Sequence, residues 1–133
     1  MRPKFRAWYV LAEEMIDEIL MISFVRKEII GKFKDGSTSV PLTFEDKRNG
    51  EDVILMQSTG LNDLNGVEIF EGDIVRFFDS LYTVFYDIKE GSYRLKPHDD
   101  RWVVDYMCNF SSEETLEVVA NIYEKKEFLE DEK

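Results

Sequence analysis

The sequence predicts a mainly β protein built as a small antiparallel barrel or sandwich, and three observations lead there. Apolar residues alternate with polar ones over short runs, turn-forming residues interrupt these runs about every ten positions, and no stretch sustains the period of a long helix. The 133 residues are 44% hydrophobic and 14% aromatic, enough apolar surface to offset the entropy of ordering one core without disulfides or metal. A single domain spanning 1–133 is expected.

Each element follows from local pattern. Phe5, Ala7 and Tyr9 face one way and Lys4, Arg6 and Trp8 the other, which sets a first strand at about 4–10. From Leu11 to Ile19 the residues favour helix, with Leu11, Met15 and Ile19 at intervals of four, and helix and strand both stay open there. Leu20 to Phe24 and Glu28 to Phe33 read as two strands around Val25-Arg26-Lys27. Asp35-Gly36 and Asn49-Gly50 each close a turn, with Val40-Pro41-Leu42 as an extended edge between them.

Val53 to Met56 is a short strand leading to Asn65-Gly66, the strongest hairpin signal in the chain. Val67 to Phe70 and Asp73 to Phe78 flank a turn at Glu71-Gly72. Between Leu81 and Ile88 both faces are apolar, as in a central or covered strand. Tyr93-Arg94-Leu95, Trp102 to Asn109 and Leu116 to Ile122 complete the strands. Ser111 and Glu114 have capping-box spacing for one helical turn before the last strand, and Phe128 with Leu129 would pin a short C-terminal helix.

Charge and composition exclude several function classes. The net charge of -11 is uneven, since residues 1–50 hold 9 Lys/Arg against 8 Asp/Glu and residues 51–133 hold 8 against 20. Such a field repels phosphate and lowers the expectation of nucleic-acid binding. No apolar run approaches the ~20 residues of a membrane span. Met1-Arg2-Pro3-Lys4 leads into no small-residue cleavage site, and Cys108 is the single cysteine. A cytoplasmic location is expected.

Enzyme chemistry finds little to work with. His98 is the only histidine, and His98-Asp99-Asp100 after Pro97 reads as a solvated turn, because adjacent residues diverge while a metal needs three or four converging ligands. Ser58, Ser80 and Cys108 would each need His98 as base, and nothing brings them together in sequence. Glu13-Glu14, Asp99-Asp100 and Glu113-Glu114 lie in polar stretches that would not split their pKa values. Gly31-Lys32-Phe33 lacks the upstream glycine and hydroxyl of a phosphate loop. Catalytic, metal and cofactor-binding residues are therefore expected to be absent. Arg2, Lys4, Arg6 and Trp8 share one strand face and form the best local case for single-stranded nucleic acid. The aromatic residues outnumber what a small barrel interior holds, so Trp8, Phe77 and Tyr93, with Arg6, are the expected contact surface.

From Leu55-Met56-Gln57-Ser58-Thr59-Gly60 through Leu61-Asn62-Asp63-Leu64-Asn65-Gly66 to Val67-Glu68-Ile69-Phe70-Glu71-Gly72-Asp73-Ile74-Val75 the sequence resembles the YopX family of phage and prophage proteins, mainly from Gram-positive bacteria. Lys4-Phe5-Arg6-Ala7-Trp8 and Glu117-Val118-Val119-Ala120-Asn121-Ile122-Tyr123-Glu124 extend the resemblance across nearly the whole chain. Ser58 stands where members of that family usually carry an aromatic residue. The resemblance implies an SH3-like, partly open barrel with extra N-terminal strands, a phage origin and hence a bacterial cytoplasm, and no established enzymatic activity. Turn chemistry explains the motif's glycines, asparagines and aspartates without any reaction. The expected function is a non-catalytic accessory role through contacts with a protein partner or with itself. The alternative is a single-stranded nucleic-acid binder, or an acidic mimic engaging a nucleic-acid-binding partner.

Overall fold

A computed structural model of the chain describes residues 4–45, 50–99, 101, 104–106 and 112–124. The protein is mainly β, with antiparallel sheets throughout and one sheet curled as a half barrel. The chain divides into two compact units, residues 1–57 and 58–133, each with its own apolar core.

In the first unit, β1 (Phe5–Tyr9) runs between β2 (Glu14–Ile16) and the start of β6 (Val53–Asn62). β4 (Glu28–Lys32) runs between β3 (Glu18–Ser23) and the two-residue β5 (Leu42–Thr43), all antiparallel. Ala7, Ile16, Ile29, Leu42, Phe44 and Val53 form the core, with Tyr9, Ile19, Ile22, Phe33 and Leu55 packed against it. The segment from Leu11 to Ile19 is a turn over 11–13 followed by β2 and the start of β3, with no helix. Met15 and Ile16 are adjacent and both buried, which an extended chain achieves by pointing them to opposite faces, while Leu11 is exposed and shares no stripe with them. Gly31 in β4 accommodates the side chain of Ile16, since a Cβ there would lie 2.5 Å from Ile16 Cγ2.

The second unit is the five-stranded sheet β11-β10-β9-β8-β12, formed by β8 (Asp73–Phe77), β9 (Ser80–Asp87), β10 (Ser92–Pro97), β11 (Asp105–Tyr106) and β12 (Glu117–Asn121). β7 (Glu68–Phe70) pairs with the end of β6. A helical turn, α1 (Ser112–Thr115), precedes β12 as the capping spacing anticipates. Ile69, Val75, Tyr82, Val84, Leu95 and Leu116 make the core. The expected strand over 102–109 is described only at β11, and the expected C-terminal helix lies outside the described residues. Among the described residues, no helix is long and apolar enough to cross a membrane.

Candidate contact surface

The polar residues of the central motif fold the chain onto itself. Asp63 is 2% exposed. The N–H groups of Asn65 and Val67 both donate to its Oδ1 at 2.8 Å, and the Val118 N–H donates to its Oδ2 at 2.8 Å. One carboxylate therefore closes the Asn65-Gly66 turn and ties it to β12. Asp73 Oδ2 accepts the Phe70 N–H at 2.8 Å across the Glu71-Gly72 turn, where Gly72 has φ 85°. Asn121 Oδ1 accepts the N–H groups of Tyr123 and Glu124 at 3.0 and 2.8 Å. The Ser58 hydroxyl donates to the Glu68 carboxylate, so this position makes a local polar contact in place of an aromatic stack.

Of the four residues expected to form a contact surface, Arg6 and Trp8 lie in the first unit and Phe77 and Tyr93 in the second. Arg6 and Trp8, on the face of β1 opposite Ala7, are 8% and 6% exposed. Arg6, Ala7 and Trp8 are all buried, so both faces of β1 are covered, which alternation alone does not show. Phe77 and Tyr93 are partly buried and pack on the core of the second unit. The Tyr93 hydroxyl donates to the Ser58 carbonyl at 3.2 Å, and its ring meets Tyr86 edge-on at 5.1 Å. Burial first, then the Glu71 charge and the neighbouring Tyr86, push the Tyr93 phenol up to about 12.

His98 follows β10 with its Nε2 2.8 Å from Thr83 Oγ1, so the histidine is tied to β9 as well as lying in a turn. Asp99 binds Arg101, which holds its carboxyl down at about 2. Among the described residues no three His, Cys, Asp or Glu side chains converge on a common point.

Open apolar surface lies elsewhere. In the first unit, Leu20 and Met21 on β3 and Phe24 and Val25 in the following turn are exposed, Val25 at 96%. β3 is the edge of its sheet, and beside it opens a cleft of about 270 Å³ lined by Lys4, Phe5 and residues 17–22. Its sequence signal is the unbroken apolar run Ile19-Leu20-Met21-Ile22. A strand with one wet face should alternate, and this one does not. In the second unit Phe78, at the tip of the β8–β9 hairpin, is 79% exposed and has φ 55°.

The whole-chain comparisons agree with the motif. The chain is similar to the crystal structure of protein EF1440 from Enterococcus faecalis, with 28% sequence identity, a TM-score of 0.64, and coverage of 97% of this chain and 99% of that one. No curated protein matches. The family model described as YopX protein matches residues 4–130. With Asp63, Asp73, Asn121 and the turn glycines accounted for by that match and by the hydrogen bonds they make, the chain belongs to the YopX family.

Proposed function

We propose that the protein is a non-catalytic accessory protein, encoded by a phage or prophage, that acts in the bacterial cytoplasm by contacting another protein chain. One observation carries this reading. The polar side chains of its motif, Asp63, Asp73 and Asn121, spend their acceptor oxygens on the backbone, while large apolar side chains stand open along β3 and its turn. Groups committed to holding turns are poorly placed for acid-base work, which needs a carboxylate or imidazole free to meet a substrate. Contiguous exposed apolar side chains at a sheet edge suit a protein contact.

The nucleic-acid alternative called on Arg2, Lys4, Arg6 and Trp8 as a cationic stacking face; Arg6 and Trp8 are buried, Lys4 is exposed, and Arg2 lies outside the described residues. The test is light scattering on the pure protein combined with affinity capture from lysogenic cells. The reading expects either self-association or a defined partner whose capture depends on Leu20 and Val25. A monomer that captures nothing overturns it.

A further inference from the structure

We infer that the tip of the β8–β9 hairpin is a contact site, where Phe78 enters an apolar pocket rimmed by lysine or arginine on another protein. This is a second surface, in the second unit, and it extends the contact reading above without depending on β3. The backbone supplies the first argument. Strands β8 and β9 pair as far as Phe77 opposite Ser80, so Phe78 and Asp79 alone make the turn. Phe78 takes φ 55° there, a conformation that glycine adopts without strain and a bulky residue rarely adopts. The residue is nevertheless 79% exposed, and its ring meets Phe77 edge-on at 4.6 Å. A single exposed apolar side chain requires no explanation, but one held in a strained turn that glycine would serve better does. An aromatic ring offered to solvent at the end of a hairpin is the form of an anchor that fills a partner's pocket.

Charge decides the kind of partner. β12 runs antiparallel to β8 with Glu117 opposite Arg76, so α1, just before Glu117, lies at the same end of the sheet as the hairpin tip. The His98 N–H donates to the Leu81 carbonyl at 2.9 Å, which brings the Asp99–Arg101 pair to this end as well. Arg76 pairs with Glu117 and Arg101 with Asp99, so each of these cations is answered by an acid. Asp79, Glu113 and Glu114 are exposed and make no ion pair among the described residues. Phe78 therefore stands among uncompensated negative charges. Such a face repels nucleic acid, an anionic membrane and the same face of a second copy, and it attracts a basic protein surface.

The full chain carrying p-benzoylphenylalanine at position 78, irradiated in lysogenic cells, identifies what the ring touches. The captured protein, once purified, is the probe for every later measurement. Its affinity for the parent chain should fall as KCl rises from about 50 mM to about 0.5 M. Phe78→Gly should weaken binding about tenfold or more, while its melting temperature stays within about 5 °C of the parent's because glycine suits the turn. Phe78→Tyr, aromatic in the same place, should keep most of the affinity. Glu113→Lys with Glu114→Lys should weaken binding and flatten its dependence on salt. The inference is overturned if nothing cross-links, if the cross-link is to a second copy or to nucleic acid, if Phe78→Gly binds as tightly as the parent, or if salt has no effect. A partner whose capture depends on Leu20 and Val25 but not on Phe78 removes this site and leaves the contact function standing.

Discussion

At the scale of single residues, Asp63 is the position on which most depends. Its carboxylate accepts three backbone N–H groups, one of them from Val118, 55 residues away. Replacing it by alanine leaves those donors without an acceptor where water has little access. Hydrogen bonds to a charged acceptor contribute about 1.5–3 kcal/mol each, and they are not additive within one network. Asp63→Ala should therefore cost about 4 kcal/mol, read as a lower urea midpoint; a loss under about 1 kcal/mol would show that the carboxylate does not hold the hairpin. Tyr93 supplies a second residue-scale prediction. Its phenol is held protonated in the fold up to about 12 from an ordinary 10.0. A raised value means the neutral form is the favoured one, so the associated stability is full below pH 10 and is lost as pH rises through about 12. Tyrosinate absorbance should show one phenol ionising later than the rest, and Tyr93→Phe should abolish that late step. Unchanged titration in the variant would place the late phenol elsewhere.

At the scale of elements, β4 shows how tightly the first unit is assembled. Gly31 lies opposite Ile19 on β3, and the space its missing side chain would take is filled by Ile16 of β2. Gly31→Ala should destabilise the protein by about 1–3 kcal/mol through overpacking, with Gly31→Ala plus Ile16→Leu, which lacks the Cγ2 branch, recovering part of the loss. Additive losses in the double variant would mean the two side chains do not compete for space. Most strands and turns were readable because alternation and positive-φ residues are local signals. Gly36, Gly50, Gly66 and Gly72 adopt positive φ at the turns their neighbours announce, and β9 has the buried Tyr82 and Val84 of a covered face. What escaped was non-local. Leu11, Met15 and Ile19 suggested a stripe, yet the strand geometry that buries Met15 and Ile16 together depends on β1 and on Gly31, which lie in other segments. Burial and edge position are non-local in the same way: Trp8 and Arg6 share a strand face in sequence and are buried in the fold, and the run from Ile19 to Ile22 looks like core until β3 is found at an edge.

For the whole molecule, the decisive quantity is charge. Residues 1–57 hold 9 Lys/Arg and 10 Asp/Glu, whereas residues 58–133 hold 8 and 18, so self-repulsion is concentrated in the second unit. Ion pairs oppose it weakly. Lys27 with Glu45 and Arg76 with Glu117 are exposed, and such pairs contribute only about 0–1 kcal/mol. The Arg94–Asp87 pair, at 2.8 Å with both side chains largely covered, is the better shielded one. Salt screens the many repulsions over a Debye length of about 8–10 Å, and it also weakens attractions such as these. Raising KCl from about 20 mM to about 0.5 M at pH 7 should therefore raise the melting temperature by roughly 2–8 °C. Acid changes the balance. Arg94 lowers the pKa of Asp87, the Ser37 hydroxyl and N–H lower that of Asp35, and Arg101 lowers that of Asp99 to about 2. A depressed carboxylate stabilises the fold above its unfolded value and loses that contribution as pH falls through its folded value, so these groups weaken the protein below about pH 4 and down to about 2. Near pH 4 many acids are already neutral and little repulsion remains to be screened, so the stabilisation by KCl should shrink or vanish there. Melting curves at both pH values across the same salt series decide the matter. A melting temperature that falls with KCl at pH 7 would mean that attractions, and not the excess of acids, dominate the electrostatics of this fold.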